Sequence, residues 1–232
     1  MNLPSITHKI AITSFILLAL GSIGVRFHWY GYQAGLMMFS LAGLLSFISI
    51  SASAFFTRRT KNALGQRQLS QAALIALPAI IFFSLALFSG AGAPLIHDIS
   101  TDTENPPEFI AAKLQRRASD NSLAYAAGNR ELQKQAYPDI QTIPTLLSVT
   151  AAQDKARAIA ENLGWQVTYQ ESGHIEATVS SFWFGFTDDV IIRISETPSG
   201  SIIDLRSASR VGKGDLGVNA SRIRQFSQQY LE

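Results

Sequence analysis

Asp189-Val-Ile-Ile-Arg-Ile-Ser-Glu-Thr-Pro-Ser-Gly-Ser-Ile-Ile-Asp-Leu-Arg-Ser-Ala-Ser209 decides the fold of the C-terminal half. Both arms, Asp189–Glu196 and Ser201–Ser209, are rich in β-branched residues and are bounded by turn formers. Pro198-Ser-Gly200 between them has hairpin length. The arms therefore read as neighbouring antiparallel strands. Side chains alternate across a strand, so Ile203 and Leu205 point to one face and Asp204, Arg206 and Arg210 to the other. In the first arm Arg193 shares a face with Ile191, opposite Val190, Ile192 and Ile194.

Two further strands precede this hairpin, Trp165–Gln170 and Ile175–Trp183, joined across Glu171-Ser-Gly173. Before them, Ala151–Leu163 repeats apolar residues at helical spacing (Ala152, Ala156, Ile159, Ala160, Leu163). Thr150 is placed to cap it with Gln153, and Gly164 to end it. After the hairpin, Leu216–Leu231 reads as a helix burying Ile223, Phe226 and Tyr230. Four strands joined by short turns make an antiparallel four-stranded sheet, with helices packed on one face. Ahead of this core, Ile110–Gln115 and Asn129–Gln135 read as short helices or turns. The opening stretch Thr101–Pro107 lacks periodicity and reads as a turn and extended chain, with Phe109 as its anchor.

The N-terminal part is of another kind. Ile10–Val25, Gln33–Phe56 and Leu69–Phe88 carry no charged side chain, and no acidic residue occurs before Asp98. Roughly 20 apolar residues in a helix cross the hydrocarbon core of a bilayer. The chain thus divides into a three-helix transmembrane anchor, residues 1–93, and an α+β domain, residues 94–232. The loop Thr57–Gln68 holds Arg58, Arg59, Lys61 and Arg67, and Lys9 precedes the first segment. Short basic loops stay in the cytoplasm. This places the N-terminus inside and, after three crossings, the α+β domain in the periplasm of a bacterium with its anchor in the inner membrane. Two readings of the first segment stand: a helix that remains, or a secretory signal cleaved near Ala19-x-Gly21. The orientation of the α+β domain is the same in both.

Six of the 19 basic residues precede Gly90, leaving 13 against 17 acidic ones in the remainder. The high overall pI is therefore a property of the anchor. An acidic domain argues against nucleic acid, whose binding is dominated by phosphate neutralisation. With no cysteine in the chain, disulfides, zinc thiolates and thiol catalysis are excluded. The four histidines show no ligand spacing, so neither a metal site nor a cofactor is read. Asp188-Asp189 resembles a carboxylate pair, but neighbours on a strand face opposite ways.

The polar cluster expected from strand parity comprises Arg193, Asp204, Arg206 and Arg210, joined by Asp102 from the opening stretch and by Asp215, Asn219 and Arg222 from the last turn and helix. Two readings of it stand: a solvated sheet face crossed by ion pairs, or a dedicated pocket for a small anion or a partner's acidic segment. Arg206, Arg210 and Asp215 are also expected to clamp Thr101–Glu104 against the sheet. Gly212-Lys-Gly214-Asp-Leu-Gly217 matches G-x-G-x-x-G, but no parallel strand with an acidic residue follows. It reads as a tight turn with Asp215 as cap, or as an anion site at the helix start.

Ile99-Ser-Thr-Asp-Thr-Glu-Asn-Pro-Pro-Glu-Phe109, Gly185-Phe-Thr-Asp-Asp-Val-Ile-Ile-Arg-Ile194 and Arg206-Ser-Ala-Ser-Arg-Val-Gly-Lys-Gly-Asp-Leu-Gly-Val-Asn-Ala-Ser-Arg-Ile223 resemble a bacterial and plastid family known only as domain of unknown function 1499. The resemblance spans the whole C-terminal domain and implies no reaction and no catalytic residue. It implies that the Thr-Asp…Pro-Pro and Arg-Ser-x-Ser-Arg segments form the domain's distinctive surface. The expected function is a membrane-anchored extracytoplasmic binding or interaction module. Its partners are the lipid bilayer and an envelope protein or small anionic ligand. The alternatives are an envelope hydrolase using Asp204 or Asp215 with the arginines, and a structural assembly factor.

Overall fold

Three long helices open the computed structural model, which describes residues 2–232: α1 (Leu3–Arg26), α2 (Tyr32–Thr57) and α3 (Ala63–Ser89). Each is long and apolar enough to cross a membrane. Asn2 caps α1, its side chain accepting from Ser5 N at 3.1 Å, and Pro4 sits in the first turn, where a missing N–H costs nothing. Small and hydroxylic residues pack the helices together: Ala11, Ser14, Ala42, Ser46, Ser49, Ala72 and Ala76 are all buried. Ser46 Oγ donates to Ser14 Oγ at 3.0 Å. Gly21 and Gly35 let α1 and α2 touch, since a Cβ at Gly35 would lie 2.7 Å from the Gly21 carbonyl oxygen. Large apolar side chains point outward instead, with Phe15, Phe47, Leu74 and Leu85 exposed. That arrangement inverts the interior and surface of a water-soluble bundle.

The chain divides into two compact units, Met1–Ser89 with Phe182–Gly185, and Gly90–Ser181 with Phe186–Glu232. The second is the α+β domain. Its elements are β1 (Asp98–Ser100), α4 (Ala111–Gln115), α5 (Asn129–Ala136), β2 (Ile143–Thr145), α6 (Val149–Asn162), β3 (Gln166–Glu171), β4 (His174–Ser180), β5 (Thr187–Thr197), β6 (Gly200–Ser209) and α7 (Val218–Leu231).

The sheet is antiparallel, as expected, but it has six strands rather than four, in the order β1-β6-β5-β4-β3, with β2 also on β6. β1 and β2 lie along the same outer edge of β6: β1 pairs with Arg206–Ala208 and β2 with Ser201–Ile203. Pro144 is tolerated in β2 because the strand lies at an edge. The outer edge of β1 is satisfied by a side chain. The amide of Gln133 accepts from Ser100 N at 3.0 Å and donates to Ser100 O at 2.6 Å, standing in for another strand.

α6 and α7 cover one face of the sheet. Ile175, Val190, Ile192, Ile203 and Leu205 meet Ala152, Ala156, Ile223 and Phe226 there, and Trp165 stacks on Phe226 with ring centroids 5.5 Å apart. Ser148, not Thr150, caps α6, and Gln153 serves elsewhere: it binds Glu171 O and Gly173 N across the β3–β4 turn. β4 ends at Ser180, short of the expected Trp183, because Phe182 and Trp183 belong to the turn. The opposite face is not solvated. Phe109, Ala112, Ile191 and Ala208 form a second apolar cluster there, and residues 101–125 lie over this face as a cover, bonded to Arg206, Asp189 and Glu176.

Candidate functional site

The charged row expected on β5 and β6 exists and is largely buried. Register places Arg193 directly opposite Asp204, and the pair closes at 2.8 Å. Arg193 Nη2 also donates to Asp102 Oδ2 at 2.9 Å. Asp204 Oδ1 accepts from Thr101 Oγ1 at 3.1 Å and from Thr142 Oγ1 at 2.5 Å. Arg206, 3% exposed, grips Asp98 with two parallel bonds of 2.9 and 2.7 Å. It also donates to the carbonyls of Pro107 and Leu123. Its guanidinium lies over the rings of Phe109 and Tyr125. Burial, with the Asp98 charge beside it, pushes the Tyr125 phenol well above its ordinary value. Asp189 is held from both sides, by Arg116 Nε at 2.7 Å and by Arg210 Nη2 at 2.7 Å.

The expected clamp takes a different form. Arg206 and Arg210 meet neither Asp102 nor Glu104: Asp102 pairs with Arg193, and Glu104 pairs with Lys134 and Arg130. The reason is β1, whose register sets Asp98 two positions along from the residue opposite Arg206, a diagonal neighbour on the same face. The carboxylate comes from that strand instead of the loop after it. Asp215 turns back on its own helix, accepting from Gly217 N at 3.0 Å and Asn219 N at 2.6 Å. Burial raises its carboxyl above the usual range despite these two amides. The glycine motif is the tight turn: Gly212 and Gly217 take φ of +92° and +83°, which favour glycine.

Arg222 and Asn219 do not join the cluster. They lie on the α6/α7 face, where Arg222 pairs with Asp188 at 2.7 Å and Asn219 binds Ser207, Ser209 and the His97 carbonyl. Asp188 and Asp189 thus serve opposite faces, as alternation requires. Glu176 escaped the reading of the sequence altogether. It is 1% exposed and accepts from the backbone N–H groups of Ile110, Ala111 and Ala112 and from His174 Nε2 at 2.8 Å. Burial pushes its carboxyl up, but His174 and the three amides together outweigh that and hold it below the usual range. Strand parity was the available signal for Glu176, since it is polar between Ile175 and Ala177. Asp98 and Arg116 had none, lying in aperiodic chain.

Among the described residues no group of three or more His, Asp or Glu is placed to hold a metal ion. The outer sheet face carries ion pairs and amide–carboxylate bonds, some between strands (Arg193 with Asp204, Arg206 with Asp98) and others from a strand to the cover (Arg193 with Asp102, Asp189 with Arg116, Glu176 with the amides of 110–112). The family model described as protein of unknown function (DUF1499) matches residues 98–230. The chain belongs to the DUF1499 family. The matched segment of DUF1499 begins at Asp98, the partner of Arg206, and takes in cover, sheet, α6 and α7. The three N-terminal helices lie outside it. A comparison with curated proteins finds no match.

Proposed function

We propose that this DUF1499 protein is a membrane-anchored interaction module whose α+β domain faces the periplasm from the bacterial inner membrane. The observation that carries the reading is the inverted burial of α1–α3, with small and hydroxylic side chains inside and Phe15, Phe47, Leu74 and Leu85 outside. Lipid is the medium in which that surface is favourable. Orientation follows from Arg58, Arg59, Lys61 and Arg67 between α2 and α3, against the absence of acidic residues before Asp98.

Binding is favoured over catalysis by how the carboxylates are used. Asp204, which a hydrolase would need, is 1% exposed and is bonded to Arg193, Thr101 and Thr142. Asp215 is engaged by two backbone amides of its own turn. Of the basic residues at the end of β6 and in the turn after it, Arg206 is enclosed, Arg210 is partly exposed and Lys213 is exposed. Arg210 is already paired with Asp189, so Lys213, beside the glycine turn, is the place for an acidic partner segment or small anion.

Reporter fusions test the topology. A reporter active only outside the cytoplasm is expected to be active after Glu232 and silent at Asn62. Neutralising Arg58, Arg59, Lys61 and Arg67 together is expected to mix the two orientations. The reverse pattern in the unaltered chain contradicts the proposal.

A further inference from the structure

The connection between β4 and β5 is Ser181-Phe-Trp-Phe-Gly-Phe186, three aromatic residues in a row inside an uncharged stretch from Ala177 to Thr187. Its neck is fixed. Ser181 N donates to Phe186 O at 2.8 Å, Phe186 N donates to Ser181 Oγ at 3.0 Å, and the hydroxyls of Ser180 and Thr187 are 2.9 Å apart. Gly185 turns the chain with φ of +67°. The tip beyond this neck is apolar and open, with Phe182 75% and Trp183 54% exposed. A water-facing hairpin gains nothing from two such side chains.

The tip, Phe182–Gly185, groups with the three apolar helices as part of the same compact unit. Within that unit Phe184 meets Phe39 of α2, ring centroids 5.6 Å apart, and Trp183 meets Phe82 of α3 at 4.8 Å. The Arg26 guanidinium, at the end of α1, lies 5.5 Å from the Phe182 ring. Phe39 is seven residues past the start of α2, and Phe82 seven before the end of α3. At 1.5 Å per residue the rings they meet are about 10 Å inside the helix ends. In the proposed topology these are the outer ends. Tryptophan and phenylalanine are favourable at that depth, where the aqueous interface gives way to acyl chains.

We propose that Phe182-Trp183-Phe184 is a second membrane-contacting element, a hairpin tip that inserts into the outer leaflet beside α2 and α3 with bilayer lipid as its occupant. The inference rests on the membrane reading of α1–α3. It gives the chain a second membrane-contacting segment besides α1–α3.

The chain has no cysteine, so one can be placed at will and spin-labelled without background. The full chain is reconstituted in vesicles of phosphatidylethanolamine and phosphatidylglycerol with a label at Phe182→Cys, at Phe47→Cys on α2, or at Ser199→Cys in the β5–β6 turn. Collision rates with oxygen, which concentrates in lipid, and with a neutral nickel chelate, which stays in water, report depth. The expected result is an oxygen preference at 182 and 47 and a nickel preference at 199. A nickel preference at 182, with 47 still favouring oxygen, overturns the tip while leaving the anchor. A label at 182 shielded from both reagents overturns it in favour of a protein partner. A nickel preference at 47 overturns the anchor and the tip together.

Discussion

At the scale of single residues, Arg206 and Arg224 show how burial decides what an ion pair is worth. Arg206 and Asp98 have side chains 3% and 2% exposed; for Arg224 and Asp139 the values are 45% and 52%. Removing one partner of a buried pair strands a charge in low dielectric. Arg206→Ala is therefore expected to cost about 3–5 kcal/mol. Arg224→Ala is expected to cost less than about 1 kcal/mol, because water screens that pair. Urea unfolding in detergent, followed by near-ultraviolet circular dichroism, checks both; equal effects contradict the assignment. Glu176 supplies a pH test. Its folded-state carboxyl is held below the ordinary glutamate value. Its stabilisation is present above about pH 4.3 and lost as pH falls through the lower folded value. Glu176→Gln is expected to lower stability at neutral pH by about 1–3 kcal/mol, by weakening its bonds to three amides. It also flattens the acid limb of melting temperature against pH. Parallel curves for the two proteins contradict this.

That Arg193 shares a face with Asp204 and Arg206 was legible from alternation, which left either as its neighbour; the register sets it opposite Asp204. The partner of Arg206 was not. Asp98 precedes the Thr-Asp-Thr-Glu run that drew attention, in a strand of three residues. Period-2 alternation needs more residues than that to register.

Elements repeat the lesson. β3, β5, β6, α6 and α7 were visible because each is long enough to carry its period. β1 and β2 were not, each being three residues long, and Pro144 is accommodated in β2 because the strand lies at an edge. The aromatic run at the β4–β5 turn read as strand because Phe and Trp favour sheets. At this scale the cover and the sheet are expected to open separately. Amides of Ile110, Ala111 and Ala112 end on Glu176, while that of Ile192 belongs to the central β5. In hydrogen exchange, Glu176→Ala is expected to speed the first three and leave Ile192 protected. Equal acceleration at all four sites contradicts a cover held by this carboxylate. Trp165→Ala removes the ring that stacks on Phe226 of α7. It is expected to cost about 3–5 kcal/mol in the same urea unfolding; a cost under about 1 kcal/mol contradicts its place in the core.

Over the whole molecule, composition said most. Three uncharged runs pointed to the three membrane-length helices, and the lack of acidic residues before Asp98 with the basic loop Arg58–Arg67 carries the proposed direction. The helix bounds in the structure extend those runs, by several residues at the starts of α1 and α3 and by a single residue at the other ends, where Arg26, Tyr32, Thr57 and Ser89 are helical too. The α+β unit has its own core on both sheet faces. Residues from Leu95 onward are therefore expected to unfold cooperatively on heating when produced alone; a gradual, featureless melt contradicts an independent domain. The central claim is that this domain lies on the far side of the membrane from the α2–α3 loop. It is tested most directly with a membrane-impermeant thiol reagent on cells whose outer membrane alone is permeabilised. The proteins carry Ser199→Cys or Asn62→Cys in the otherwise cysteine-free chain. The account predicts labelling at 199 and none at 62 until the inner membrane is opened; labelling at 62 with protection of 199 contradicts it.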